Sequence, residues 1–199
     1  FDSADFDRAQ KIFGLFNKSH MRFDADRKTK KIKEPSLSEM TDKAIQVLAK
    51  NPKGFFLMVE AGRIDHAHHA GNAYNALSDT VEFSNAVEVA LNKTSTEDTL
   101  IIVTADHGHV FTMAGYPKRG NPILGKVISM GETKPKLALD NLPYTTLGYA
   151  NGRGHRHLGL ETNADECYDG PIFAGRANLI GKDTTQSGFF QESLIPLQS

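Results

Sequence analysis

Apolar positions recur along this chain with two different periods, and the change from one to the other marks out its elements. Leu37, Met40, Ala44 and Leu48 stand three or four apart, the spacing that lines one face of an α-helix. Pro35 comes just before them, and Ser36 and Glu39 stand in capping-box spacing, so the helix is expected to open there. Lys50-Asn51-Pro52 brings a cation and then a breaker, which should end it. After Gly54 the helical period vanishes. Phe55-Phe56-Leu57-Met58-Val59 is apolar at every position, the signature of a strand buried on both faces in a parallel sheet. A second helix is predicted over roughly 72–92, with Ala73, Leu77, Val81, Val87 and Leu91 on the inner face and Asp79 and Glu82 pointing away. Thr99-Leu100-Ile101-Ile102-Val103-Thr104 is again continuous and β-branched. Strand, helix and strand joined by short links make a βαβ unit with parallel strands and a right-handed crossover. The expected fold class is therefore α/β.

Outside this centre the pattern weakens. Residues 1–35 read as a charged approach, and Arg27, Lys28, Lys30, Lys31 and Lys33 suggest a solvated loop rather than a patch for a polyanion. Beyond residue 110 Gly, Pro and Asn become frequent. A strand is expected at about 144–149, and 150–190 reads as a loop region or insertion with little core of its own. Composition adds limits. With 199 residues, 39% of them hydrophobic, the chain suits one domain or one lobe of a larger one. Its 23 basic and 24 acidic residues leave a net charge of −1, which argues against a nucleic-acid coat. No run approaches the ~20 apolar residues of a bilayer span. The single cysteine, Cys167, cannot form an internal disulfide, so cysteine usage does not reveal the redox compartment.

Histidine placement is where chemistry concentrates. Of eight histidines, His66, His68, His69, His107 and His109 follow closely on the two apolar runs. Ligands of open α/β sheets bind beyond the carboxyl ends of the strands, so both groups should face one crevice. Glu60 ends the first run, where an unpaired buried carboxylate is costly unless a cation relieves it. Asp65 and His69 are four apart and project from one face of a helical turn, a pairing suited to a divalent transition metal such as zinc; a salt-bridged Glu60 and a merely polar helix start are the alternative. His66 and His68 fall off that direction and belong behind the ligands or on the surface. In Thr104-Ala105-Asp106-His107-Gly108-His109 a strand again ends in a carboxylate followed by an imidazole, and Gly108 permits a tight turn. A serine-hydrolase dyad is the rival reading of Asp106 and His107. It needs a Gly-x-Ser-x-Gly elbow, which the chain lacks.

Val59-Glu60-Ala61-Gly62-Arg63-Ile64-Asp65-His66-Ala67-His68-His69 and Thr104-Ala105-Asp106-His107-Gly108-His109-Val110-Phe111 resemble the two metal motifs of the alkaline phosphatase family. Pro35-Ser36-Leu37-Ser38-Glu39-Met40-Thr41, Asn51-Pro52-Lys53-Gly54-Phe55-Phe56-Leu57 and Gly115-Tyr116-Pro117-Lys118-Arg119-Gly120 resemble its animal-like branch. The likeness spans about residues 13–125 and returns at Glu192-Ser193-Leu194-Ile195-Pro196-Leu197. It implies a three-layer fold with a mostly parallel central sheet. It also implies hydrolysis of phosphate monoesters through a phosphoserine, with two zinc ions and one magnesium. Carried over by position, Asp65 and His69 would hold one zinc, Asp106 and His107 the second, and Glu60 would help hold magnesium. Homodimerisation with Tyr116 near the interface, and a periplasmic or extracellular location, follow from the same resemblance. Other members of the superfamily, such as phosphodiesterases, sulfatases and phosphomutases, are the enzymatic alternative; a non-catalytic metal-binding piece is the other.

The chain departs from the family pattern in ways that matter. The nucleophilic serine belongs to an Asp-Ser-Ala motif far upstream of the first metal motif. Asp2-Ser3-Ala4 has those letters without the flanking strand and helix, and reads as a decoy. The phosphate-binding arginine, the aspartate shared by zinc and magnesium and the last zinc histidine have no counterpart. Asn17 replaces an expected carboxylate near Phe16 and Glu34, so no calcium site is assigned. Residues 1–199 are therefore expected to be a partial catalytic domain, inactive alone, whose nucleophile lies elsewhere.

Overall fold

The computed structural model describes residues 4–113, 115–137, 141 and 143–149. The described residues divide into two compact units, one within residues 4–64 and 77–106, the other within residues 65–76 and 107–149. The expected strand positions near 144–149 fall inside the described residues. The 150–190 loop region and Ser3 lie outside them.

The first unit is built on helices α1 (Asp24–Thr29), α2 (Leu37–Leu48) and most of α4 (Ala73–Lys93). Helix α2 opens as its sequence demands. The Ser36 hydroxyl accepts the Glu39 backbone N–H at 3.1 Å, and the Glu39 carboxylate accepts the Ser36 N–H at 2.7 Å, closing a reciprocal capping box. Ile45 and Val47 are buried beneath it. At its other end Lys50 donates to the carbonyls of Phe6, Asp7 and Ala9, pinning the N-terminal segment.

Two expectations about this unit are corrected. Residues 24–34 are not simply a solvated loop. Asp24 and Ala25 of α1 are buried, and Asp24 binds Arg27 and Lys28, each at 2.7 Å. Lys30 pairs with Asp26 at 2.9 Å. These cations find partners within one or two turns. Nor do Asp79 and Glu82 of α4 point away. Glu82 is buried and accepts both the N–H and the hydroxyl of Ser38, at 3.0 and 2.6 Å, in the first turn of α2. Asp79 accepts the Asp24 N–H at 3.1 Å. Two carboxylates of α4 thus meet the N-terminal turns of α1 and α2, where N–H groups lack helical partners. Val81 and Leu91, expected on the inner face, are exposed instead.

The apolar runs 55–59 and 99–104 form no strand among the described residues. Phe56 is 88% exposed and Leu100 83%; Met58 and Ile102 are exposed as well. The expectation of doubly buried strands is not met here. Leu57, Val59 and Ile101 are half-buried, whereas Phe55 and Val103, in phase with them, are exposed; with no neighbouring strand to cover them, these side chains meet solvent.

The second unit holds most of α3 (Arg63–His69), the first turn of α4, and a short antiparallel ladder of β1 (Phe111–Met113) and β2 (Leu147–Tyr149). This is the paired sheet among the described residues. Its core is Ala67, Ala73, Ala76, Val127, Tyr144, Leu147 and Tyr149. Helix α3 ends on Gly71, at φ 64°. The Asn72 N–H reaches the Ala67 carbonyl at 2.8 Å and the Gly71 N–H reaches that of His68 at 2.9 Å, a Schellman closure that needs a left-handed residue. Asn72 then caps α4 by accepting the Asn75 N–H at 3.0 Å. Gly115, at φ 72°, admits no side chain, since a Cβ would lie 2.9 Å from Val127.

Candidate metal centre

Helix α3 carries Asp65 and His69 one turn apart, as the i, i+4 spacing requires. The segment leading into β1 carries His107 and His109. All converge on a single carboxylate oxygen. Asp65 Oδ1 lies 2.7 Å from His109 Nε2, 3.4 Å from His69 Nε2 and 3.6 Å from His107 Nε2. Asp65, His69 and His109 each bring a donor atom within 4.8 Å of the others. The His109 hydrogen bond holds the Asp65 carboxyl below its usual range, and the charges of His69, His109 and His107 act in the same direction against slight burial. Asp65 is therefore ionised at neutral pH. One carboxylate among three imidazoles is a donor set matched to a borderline cation such as zinc.

Behind His109 stands an aromatic wall. The His68 ring stacks on His109 at 4.9 Å between centroids and 28° between planes. Its Nδ1 is 2.7 Å from the Tyr149 hydroxyl, so that nitrogen is engaged by the phenol. Phe111 and Tyr149 sit opposite each other in the ladder, and both rings lean on His68, at 5.0 and 5.7 Å. Burial depresses the basicity of His68, helped by His109. Burial also raises the Tyr149 hydroxyl well above its usual range. A neutral imidazole and a neutral phenol are thus hydrogen-bonded in the dark side of the cluster.

Of the residues singled out from the sequence, Asp65, His69 and His107 lie together around Asp65 Oδ1. Glu60 and Asp106 belong to the first unit, each exposed, just beyond the two apolar runs. Glu60 was expected to be a costly buried carboxylate; with no strand paired beside residues 55–59, water reaches it. His109, absent from the expected ligands, has the shortest contact to Asp65. Its signal was present in Asp106-His107-Gly108-His109, because residues two apart in extended chain share a side. His68 stacks on His109 and makes no contact with Asp65 among those described, in keeping with its position off the Asp65–His69 direction. Tyr149 had no sequence signal, since only the β1–β2 register brings it there.

The alkaline phosphatase family model matches residues 2–188. The chain belongs to the alkaline phosphatase family. This match extends further than the motif resemblance, which thins after residue 125. Among curated relatives, the tissue-nonspecific isozyme of alkaline phosphatase from Homo sapiens is 42% identical over 187 residues, covering 94% of this chain and 32% of the relative. That from Gallus gallus is 40% identical over 191 residues, covering 96% and 33%. The Rattus norvegicus isozyme is 40% identical over 196 residues, covering 98% and 33%. This alkaline phosphatase chain spans about a third of the length of the curated relatives it matches. Among its described residues no helix is long and apolar enough to cross a membrane.

Proposed function

We propose that this chain supplies part of the metal site of a phosphomonoesterase that cleaves phosphate monoesters to alcohol and phosphate, through a phosphoserine formed on a serine outside these residues. The observation that carries the reading is the meeting of His69, His107 and His109 around Asp65 Oδ1, in a member of this family.

The donor set fits zinc. Asp65 and His69 would hold one zinc, Asp106 and His107 the second, and Glu60 would contribute to magnesium. Such ions, when bound, supply Lewis acidity toward a phosphoryl oxygen and toward attacking and leaving oxygens. The chain's own residues prepare that role. His109 bonds the Asp65 carboxylate at Oδ1 and favours its charged form, as partners that orient metal ligands do. Helix α3 presents Asp65 and His69 in fixed relation, and its Gly71 closure keeps the last turn intact. The full enzyme would use a three-layer fold in which runs 55–59 and 99–104 pair with strands of its remaining length. Exposed Tyr116, at 93%, is available for a homodimer contact. A periplasmic or extracellular location accords with such an enzyme.

The test is hydrolysis of p-nitrophenyl phosphate by the full-length protein. Activity should fall to background on exhaustive chelation and return with zinc and magnesium. Monoesters should be turned over far faster than diesters or sulfate esters, and the 199-residue chain alone should be inactive. Phosphatase activity that survives complete metal removal overturns the reading.

A further inference from the structure

Tyr149 is fully buried, sits far along the chain from the histidines, and still places its hydroxyl 2.7 Å from His68 Nδ1. The ladder produces this meeting. In an antiparallel pair, residues directly opposite share a face of the ribbon; Phe111 and Tyr149 are such a pair, with ring centroids 5.2 Å apart. Phe111 lies two residues beyond His109, so one short segment carries both the imidazole at Asp65 and half of the wall behind it. The His68 ring is then fixed on three sides: the Tyr149 hydroxyl at its edge, and the Phe111 and Tyr149 rings. Its remaining face stacks on His109. A shift of His109 toward His68 would disturb this stack.

We infer that Tyr149 is a positioning residue for the metal centre, its hydroxyl holding the His68 ring so that His68 braces His109 against the Asp65 carboxylate. The inference rests on the proposed reading of Asp65 and His69 as zinc ligands. The chain of contacts is hydroxyl to His68, His68 to His109, His109 to Asp65, and Asp65 to the ion. Partners that orient metal ligands change metal affinity about 10–100-fold when removed. Tyr149 acts two contacts further out than His109, so a smaller effect, of about 3–10-fold, is expected at that distance.

Tyr149→Phe removes the hydroxyl and keeps the ring, and His68→Leu removes the brace. In the full-length protein loaded with zinc, Tyr149→Phe should speed zinc loss to a competing chelator by about 3–10-fold. In the cobalt(II)-substituted protein it should shift the visible ligand-field bands. A purely structural tyrosine would lower thermal stability and leave both readouts where they are. If Tyr149 works through His68, adding Tyr149→Phe to His68→Leu produces no further change in zinc loss. Unchanged zinc loss and an unchanged cobalt spectrum in Tyr149→Phe, or strictly additive effects of the pair, overturn the inference. Asp65→Ala and His69→Ala are the reference variants. If they too retain zinc like the parent, the underlying metal reading fails; if they lose it while Tyr149→Phe does not, only the role of Tyr149 fails.

Discussion

Asp79 shows how a single side chain sets a pH dependence that its place in the sequence conceals. Burial pushes its carboxyl up to about 6, with the Asp24 N–H and Arg63 pulling it down and the Asp24 and Glu82 charges pushing it up. Unfolded, it titrates near 3.8. Between those values the folded state holds more protons than the unfolded one, so stability falls as pH rises through that window. Above it the penalty is complete. The shift alone corresponds to roughly 3 kcal/mol, and partial exposure reduces that to about 1–2 kcal/mol. Asp79→Asn keeps an acceptor for the Asp24 N–H and removes the charge. Denaturant unfolding should find the variant about 1 kcal/mol more stable than the parent at pH 8 and nearly equal at pH 4; a variant no more stable at pH 8 contradicts the account. The side chain was read as solvent-facing because helical periodicity counts apolar residues. Here the buried face of α4 carries Asn75, Glu82 and Ala86, and N–H groups of neighbouring helix starts satisfy the acids.

At the scale of elements, local chemistry was the reliable guide. The α2 boundaries followed from Ser36, Glu39 and Pro52, because a cap is satisfied by groups within the same turn. Ser36→Ala should cost about 1 kcal/mol in chemical denaturation, and Glu39→Ala should cost less when Ser36 is already gone, since the two bonds close one box. Additive losses at the two positions speak against a cooperative cap. Helix α3 was legible as a turn placing Asp65 above His69, but its exact end was not drawn from the sequence. Gly71-Asn72 carries it: one residue at φ 64° closes α3 and the next caps α4. The β1–β2 ladder was half legible. Its second strand, Leu147–Tyr149, falls within the stretch expected to be extended, whereas Phe111–Met113 is too short for periodicity to reveal.

For the whole molecule, the two apolar runs set the behaviour. Phe56, Met58, Leu100 and Ile102 turn their side chains to solvent, and the backbone beside them is unpaired among the described residues. Long apolar edges of this kind template association. The isolated 199-residue chain should therefore bind an apolar dye such as ANS and self-associate. Phe56→Lys with Ile102→Lys should weaken both, measured by fluorescence and by sedimentation. A monodisperse parent chain with no dye binding would show that these faces are covered by other means.

Some properties were already settled by the linear order of residues. A cap, a helical turn carrying Asp65 and His69, and two continuous apolar runs each depend on groups within a few residues, so their chemistry is local. The motif spacing likewise sufficed for the family, which the match over residues 2–188 supports. Tertiary structure decided the rest. It selected His109 as the nearest imidazole to Asp65 and brought Tyr149 to His68 across the ladder. It also turned Asp79 and Glu82 of α4 inward. In each case the partner lies far along the chain, and only packing and strand register determine which distant groups meet.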